Sequence, residues 1–130
     1  MSDKDTPLEW VGASRDDLSD FPLECKREIG LALRMAQKGG KADNAAPMKG
    51  FGGASVLEIW SDFDGNTFRA VYTVKYKEVI YVLHAFQKKA KKGNETSLND
   101  MNKIKARLKT AKELFEERED EQSKKQKKQR

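Results

Sequence analysis

Two apolar runs rich in β-branched and aromatic residues occupy the centre of the chain, over residues 68–76 and 79–89. The polar pair Lys77-Glu78 separates them. Such residues favour strands, and a break this short favours an antiparallel hairpin. Side chains alternate between the two faces of a strand. On the first strand, one predicted face holds Arg69, Val71, Thr73 and Lys75. On the second strand, one predicted face holds Ile80, Val82, His84 and Phe86, with Lys88 continuing it.

Two stretches have helical spacing of their apolar residues. The first follows Pro22 and ends at Gly39-Gly40; its apolar residues are Cys25, Ile29, Ala32, Leu33 and Ala36. The second follows a capping box formed by Ser97 and Asp100. Its apolar residues are Met101, Ile104, Leu108, Ala111 and Phe115. Recurrence at three- and four-residue intervals predicts one buried stripe on each helix.

The remaining segments complete an α+β pattern. Residues 8–11 predict an edge strand, and residues 14–20 a short helix opened by a capping box of Ser14 and Asp17. Five glycines and Pro47 indicate a loop over 39–54. A strand over 56–60 and a turn at Asp64-Gly65-Asn66 lead into the hairpin. Helices followed by a strand meander and a further helix favour an α+β domain, with helices covering one sheet face and the other face partly open.

The length of 130 residues predicts one domain, which we expect to span residues 1–115. After Phe115 the helical periodicity stops. Residues 116–130 are acidic and then basic, which predicts a charged, disordered tail. Cys25 is the single cysteine, so an internal disulfide is excluded and a buried apolar role is expected.

Positive charge is concentrated in the second part of the chain. The net charge is +5, with −2 over residues 1–47 and +7 over residues 48–130. A basic region of this kind favours a polyanionic partner, most often a nucleic acid. The first residues lack the apolar core of a signal peptide, and no run approaches the ~20 apolar residues that span a bilayer. We therefore expect a cytoplasmic protein with no membrane partner.

The hairpin combines cations with aromatic rings. The cations are Arg69, Lys88, Lys89, Lys91 and Lys92, and the aromatics are Phe86, Tyr72 and Phe51. Arginine binds phosphate through a fork of N–H donors, and aromatic rings stack on unpaired bases. A lysine acts as a base where neighbouring cations lower its pKa, and the cluster supplies such neighbours. Two alternatives remain open: a solvated basic turn, and a structural ion pair of Arg69 with Glu58.

No pattern of metal ligands or of a nucleotide-binding loop is present, so we expect no cofactor and no metal. The single histidine, His84, lies within an apolar strand, where a hydrogen-bonded structural role is the favoured interpretation.

The hairpin also resembles a known family. F-R-A-V-Y-T-V at 68–74 and V-I-Y-V-L-H-A-F-Q-K-K-A-K-K-G at 79–93 are similar to the phage-derived, HigB-type branch of the RelE/ParE toxin superfamily. K-G-F-G-G at 49–53 and W-V-G at 10–12 add to the resemblance, which covers roughly residues 8–115. It implies a RelE-like fold with N-terminal helices, a mainly antiparallel twisted sheet and a C-terminal helix.

The resemblance implies a toxin of a toxin–antitoxin pair that cleaves translated mRNA on the ribosome without a metal. It assigns catalytic roles to Arg69, Lys88 and Lys89. The expected substrate-binding residues are Tyr72, Phe86, Lys91, Lys92 and Lys49. The implied partner is a cognate antitoxin of the HigA-like helix-turn-helix type. The chain lacks the C-terminal catalytic tyrosine of RelE members, so a gyrase inhibitor of the ParE kind and a non-catalytic RNA-binding module remain alternatives.

Overall fold

The computed structural model describes residues 5–88 and 96–128, with side chains described up to Lys124 in the final helix. Five strands and three helices follow one another as β1 (Leu8–Trp10), α1 (Ser14–Ser19), α2 (Leu23–Gln37), β2 (Ala45–Pro47), β3 (Val56–Phe63), β4 (Asn66–Thr73), β5 (Ile80–Gln87) and α3 (Leu98–Lys128). This is an α+β domain with N-terminal helices and a C-terminal helix, consistent with a RelE-like fold. No helix in the described ranges is long and apolar enough to cross a membrane.

The strands form one mixed sheet in the order β1-β5-β4-β3-β2. The edge strand β1 pairs with β5 in parallel, and the other three pairings are antiparallel. The turn between β3 and β4 is confirmed, with φ of 51° at Asp64 and 79° at Gly65. Positive φ at two successive residues suits a hairpin turn, because its twist matches that of the flanking strands. The loop predicted over 39–54 contains β2, which the sequence analysis missed.

Helices cover both faces of the sheet, so the expectation of helices on one face alone is wrong. The predicted apolar stripe of α2 is buried with Leu57, Ile59, Ala70 and Tyr72 on one face. The stripe of α3 packs on the other face against Val71, Tyr81 and Leu83. A strand with apolar residues on both faces needs a covering layer on each, which explains why β4 and β5 are buried almost throughout.

A β-bulge in β5 changes the predicted alternation of side chains. Val71 pairs with His84, but its neighbour Tyr72 pairs with Val82, so Leu83 is an extra residue on β5. An extra residue exchanges the faces of everything that follows it. Ala85 therefore joins Val82 on the α2 face, whereas His84 and Phe86 lie on the α3 face. The predicted grouping of Ile80, Val82, His84 and Phe86 on one face is wrong at this point.

Two helix ends also differ from the predictions. Ser14 does not cap α1; its hydroxyl donates to the Val82 carbonyl oxygen at 3.0 Å, which ties the start of α1 to β5. By contrast, the capping box at Ser97 and Asp100 is confirmed, since the Asp100 backbone N–H donates to the Ser97 hydroxyl. The final helix continues to Lys128, where the sequence analysis predicted a disordered tail from residue 116.

Candidate functional site

The predicted site residues Arg69, Phe86 and Lys88 lie on one face of the two central strands because of the bulge. Arg69 is directly opposite Phe86 in the β4–β5 pairing. Lys88 follows two residues later, and its backbone N–H donates to the Thr67 carbonyl oxygen at 2.8 Å. Directly opposed residues of an antiparallel pair have side chains on the same face. Without the extra residue at Leu83, the strand pairing would place Phe86 opposite Phe68, on the α2 face.

Arg69 is buried and paired. Its Nη1 lies 2.9 Å from Oε2 of Glu58, and its side chain is only 7% exposed. The Nε of Arg69 has no hydrogen-bond partner among the described residues. The structure therefore confirms the ion pair that the sequence analysis left open. Since a guanidinium carries five N–H donors, the bond to Glu58 leaves further donors for a ligand.

A hollow of about 330 Å³ adjoins Arg69. Its other lining residues are Glu58, Trp60, Asp62 and Thr67. The Thr67 hydroxyl donates to Oδ1 of Asp62 at 2.8 Å. With two carboxylates and one guanidinium, the hollow does not by itself favour a phosphate. A half-buried indole and carboxylate acceptors instead suit a nucleobase, which stacks on aromatic rings and offers N–H donors at its edge.

The aromatic residues divide differently from the prediction. Tyr72 lies on the α2 face, away from Arg69, and it is only 1% exposed. Burial raises the pKa of its hydroxyl. Phe86 is on the correct face, but it is buried and stacks on His84 with ring centroids 4.9 Å apart. Neither ring offers an open surface to a base. Trp60 was not among the predicted site residues, and its only signal was its position opposite Arg69 in a meander.

Of the remaining predicted lysines, the structure describes Lys49 and Lys88. Lys49 is exposed and follows Met48, which hydrogen-bonds to Val56 at the start of β3. Arg69 pairs with Trp60, four residues further along β3, about 13 Å away at strand spacing. Lys89, Lys91 and Lys92 lie outside the described residues. Lys88 is half-buried at the end of β5 and directly precedes them in the chain.

His84 is the centre of a hydrogen-bonded network. Its Nδ1 accepts from Nη1 of Arg107 at 3.0 Å, since arginine only donates. The ring proton is therefore on Nε2, which donates to Oδ1 of Asp100 at 2.8 Å. Ser97 donates to the other oxygen of Asp100, and Arg107 also donates to the Leu83 carbonyl oxygen. Both ring nitrogens are occupied, so His84 connects the start of α3 to β5 and supports Phe86.

Burial lowers the pKa of His84, and it outweighs the opposing effect of the bond to Asp100. The ring is therefore neutral at neutral pH. It borders a cleft of about 470 Å³ between α1 and the start of α3, which also includes Asp17, Asp20 and Lys103. In the described ranges, no group of histidine, cysteine, aspartate and glutamate side chains is arranged to hold a metal ion.

The comparison with family models gave a match over most of the chain. A family model described as "Phage derived protein Gp49-like (DUF891)" matches residues 16–109, which include most of α1, all of α2, the sheet from β2 to β5 and the first part of α3. The comparisons with curated proteins and with solved structures gave no match. Gp49-like proteins are RelE/HigB-like toxins, a class that acts with an antitoxin partner. This chain belongs to the phage-derived Gp49-like family of RelE/HigB-like toxins.

Proposed function

We propose that the chain is the toxin of a toxin–antitoxin pair and that it cleaves mRNA on translating ribosomes. The observation that supports this most is the common face of Arg69 and Lys88, created by the bulge at Leu83, beside the hollow that contains Trp60. The two cations suit a phosphate, and the indole of Trp60 in the hollow suits its neighbouring base. The family match supports the toxin class, and the ribosome-dependent reaction is our extension of it.

In the proposed reaction, the 2′-oxygen of a ribose attacks the adjacent phosphorus. A bond from phosphorus to the 2′-oxygen forms and the bond to the 5′-oxygen breaks. The products are a 2′,3′-cyclic phosphate and a 5′-hydroxyl end. The 2′-hydroxyl loses one proton, and the leaving 5′-oxygen gains one. Negative charge grows on the phosphoryl oxygens during this step, and fixed cations that stabilise it contribute the largest part of catalysis.

Three residues take named roles in this proposal. Arg69 binds a phosphoryl oxygen through the donors that Glu58 does not use. Lys88 supplies the second positive charge and exchanges a proton with the reacting oxygens. Trp60 stacks on the base next to the scissile phosphate. We assign His84 a supporting role, because both of its ring nitrogens are already engaged.

The buried pair of Arg69 and Glu58 favours a second candidate function, an RNA-binding module that does not cut. A guanidinium that is already neutralised by a carboxylate is a weaker phosphate ligand. In that case the basic segment after β5 would bind RNA by charge alone.

One experiment separates the candidates. The chain is expressed in growing cells, the 5′ ends of mRNA are mapped, and the supercoiling of DNA is measured in parallel. We expect new 5′ ends within translated messages and unchanged supercoiling. Gyrase-linked DNA breaks without RNA cleavage would replace the proposal by gyrase inhibition. RNA binding without either effect would favour the non-catalytic module.

Purified components test the reaction directly. The chain is mixed with ribosomes that carry a defined mRNA, and the new 3′ ends are analysed for a cyclic phosphate. Lys109→Gln provides a matched control for lysine substitutions at the site, because Lys109 is exposed on α3. We expect the control to cleave at the wild-type rate. Cleavage of the same mRNA without ribosomes at an equal rate would contradict ribosome dependence.

A further inference from the structure

A side chain from the final helix holds the bulge at Leu83. In the described pairings, Leu83 is the residue of β5 that has no opposite residue in either neighbouring strand. Its carbonyl oxygen accepts from Nη1 of Arg107 at 3.1 Å, and the same nitrogen donates to Nδ1 of His84 at 3.0 Å. A guanidinium nitrogen of this kind carries two hydrogens, so both bonds form at once. Arg107 therefore binds both residues of the bulge.

The loop after β1 leaves room for this guanidinium. A Cβ atom at Gly12 would lie 2.9 Å from Nε of Arg107 and 3.3 Å from its Cζ, which is closer than side chains normally approach. Gly12 also has φ of 58°, a backbone conformation that favours glycine. The W-V-G sequence at 10–12 thus has a structural reason, because Gly12 allows the guanidinium to lie against this loop while it binds β5.

Arg107 acts together with the start of α3. Asp100 lies about two helical turns before Arg107, on the same side of the helix. It accepts from the other ring nitrogen of His84 at 2.8 Å. Ile104, which lies between Asp100 and Arg107, is buried in the same apolar cluster as Leu83. The final helix therefore fixes His84 through both ring nitrogens and Leu83 through its carbonyl oxygen.

Burial of apolar residues discriminates only weakly between the bulged pairing and a pairing without the extra residue. β5 has apolar residues on both faces, so a shift by one residue exchanges one apolar residue for another. His84 is the exception, because the shift would place it opposite Ala70, on the α2 face. There it would lose Arg107 and Asp100, and a buried imidazole without partners is unfavourable. Polar contacts from α3 therefore select the bulged pairing.

We propose that Arg107 is a positioning residue for the cleavage reaction, because it fixes the bulge at Leu83. The bulge in turn keeps Phe86 and Lys88 on the face of Arg69. Arg107 does not line the hollow beside Arg69, so its effect reaches the substrate only through β5. This inference rests on the proposed function, and it adds the residue that holds the two central strands in the register that the reaction needs.

The test compares four variants of the full chain. Arg107→Met removes the donors and retains an unbranched side chain. Arg118→Met is the matched control, because Arg118 is also a partly buried arginine of α3 but approaches Glu9, about three helical turns away. Arg107→Lys restores a cationic donor that can reach a carbonyl oxygen and an imidazole nitrogen. Gly12→Ala displaces the guanidinium without removing it.

Nuclear magnetic resonance on the chain without RNA measures the register. The wild type should show a nuclear Overhauser effect between the backbones of Ala70 and Ala85, which are directly opposite only in the bulged pairing. We expect this signal to weaken by about twofold or more in Arg107→Met, since the shifted pairing becomes populated. Arg118→Met and Arg107→Lys should retain it, and Gly12→Ala should weaken it. An unchanged signal in Arg107→Met overturns the inference.

Single-turnover cleavage on ribosome–mRNA complexes measures the consequence. Arg107→Met should lower the saturated rate by about tenfold or more, because small displacements of reacting groups are costly. Its half-saturating concentration should stay within about twofold of the wild type, since Arg69 and the basic region remain. Arg107→Lys should cleave within about threefold of the wild-type rate. Equal saturated rates for Arg107→Met and Arg118→Met overturn the positioning role.

Two further outcomes are separated by the same measurements. If Arg107→Met does not fold, Gly12→Ala decides: a weaker Ala70–Ala85 signal together with a lower saturated rate supports the inference, and wild-type values of both overturn it. A wild-type chain that does not cleave overturns the proposed function and with it the positioning role. The magnetic resonance signal still decides in that case whether Arg107 fixes the bulge, because it is measured without RNA.

Discussion

Glu58 holds the Arg69 guanidinium in place before any substrate is present, because the two side chains form a 2.9 Å ion pair in a mostly buried setting. Removing one partner of such a pair leaves the other without compensation, which costs about 3 kcal/mol or more. Arg69→Ala therefore combines a loss of function with a loss of stability. Arg69→Lys and Glu58→Gln are more informative substitutions.

We expect Arg69→Lys to lower the single-turnover cleavage rate by about tenfold or more, since lysine lacks the fork that binds a phosphate through two donors. Glu58→Gln should retain the rate, because its side-chain oxygen still accepts from Nη1 while a competing negative charge is removed. The rates are measured at saturating toxin on ribosome–mRNA complexes. Equal losses for both variants would show that Arg69 acts only as part of the ion pair.

Lys88 is tested by replacing its ammonium with a different cation and with a neutral amide. If Lys88 exchanges a proton or aligns the phosphate, Lys88→Arg should lower the saturated rate by about tenfold or more, because arginine holds its proton too strongly and has a different shape. Lys88→Gln should lower it at least as much. The control is Lys109→Gln. If both Lys88 variants cleave at the same saturated rate as this control, Lys88 takes no part in the chemical step and only attracts RNA.

Two elements, β5 and the start of α3, are connected by the His84 network. Burial lowers the pKa of His84 below its ordinary value of 6.5. The groups that face the ring are Asp100, Arg107 and Lys103, and the two cations add to the lowering. Below about pH 6.5 the unfolded chain binds a proton that the folded chain does not, so the free energy of unfolding falls as the pH falls.

We expect this loss to appear in urea unfolding between pH 7.5 and pH 5, with full stability above pH 6.5. In His84→Asn, the amide can accept from Arg107 and donate to Asp100, but it does not titrate. The stability of this variant should therefore fall less over the same range, while carboxylates contribute equally to both proteins. Parallel pH profiles for the two proteins would contradict a buried neutral His84.

The two parts of α3 differ in how they contact the domain. Up to Arg118 the helix makes specific contacts: Phe115 stacks on Tyr76 with centroids 4.2 Å apart, and Arg118 approaches Glu9 at 3.5 Å. From Glu119 to Lys124, the last residue whose side chain is described, every residue is exposed. This last part is a charged helix without a buried side.

Truncation separates these two parts. A chain that ends after Arg118 should unfold with a free energy within about 0.5 kcal/mol of the full chain, as expected when only exposed residues are removed. A chain that ends after Leu114 should lose about 1–2 kcal/mol, because it also loses the aromatic stack. Both are measured by urea unfolding. A large loss for the longer truncated chain would show that the end of α3 packs on the domain.

Across the whole molecule, the positive charge and the proposed site fall in the same part of the chain. Residues 48–130 carry a net charge of +7 and include both Arg69 and Lys88. A ribosome is a polyanion, so this charge should contribute to association more than to the chemical step.

We therefore expect the affinity for ribosome–mRNA complexes to fall by about tenfold or more between 50 and 200 mM KCl, as counterion release requires for several phosphate contacts. The single-turnover rate at saturation should change by less than about twofold in the same range. Affinity that does not depend on salt would indicate that the basic region is only a solvated surface.

Local patterns in the sequence determined most of the elements. The stripe of Cys25, Ile29, Ala32, Leu33 and Ala36 is buried as predicted. The spacing of apolar residues predicts which side of a helix is buried, and it does so without information on what packs against that side. The reason is that the hydrophobic effect is not directional. The turn at Asp64-Gly65 and the cap at Ser97 were also predictable, since each depends on a few neighbouring residues. The family resemblance rested on the hairpin residues for the same reason.

Only the tertiary structure decided how these elements combine. The bulge at Leu83 is a property of the β4–β5 pairing, and no residue within β5 predicts it. It sets which face receives Phe86 and Lys88, and hence whether they join Arg69. Three further features depend on residues that are distant in the chain: the burial of Arg69 against Glu58, the inward position of Tyr72 and the network around His84. Glu58 is 11 residues from Arg69, and Arg107 is 23 residues from His84. Strand pairing and burial depend on the free energy of the assembled sheet and its two helical layers. They are therefore determined only when segments that are distant in the chain come together.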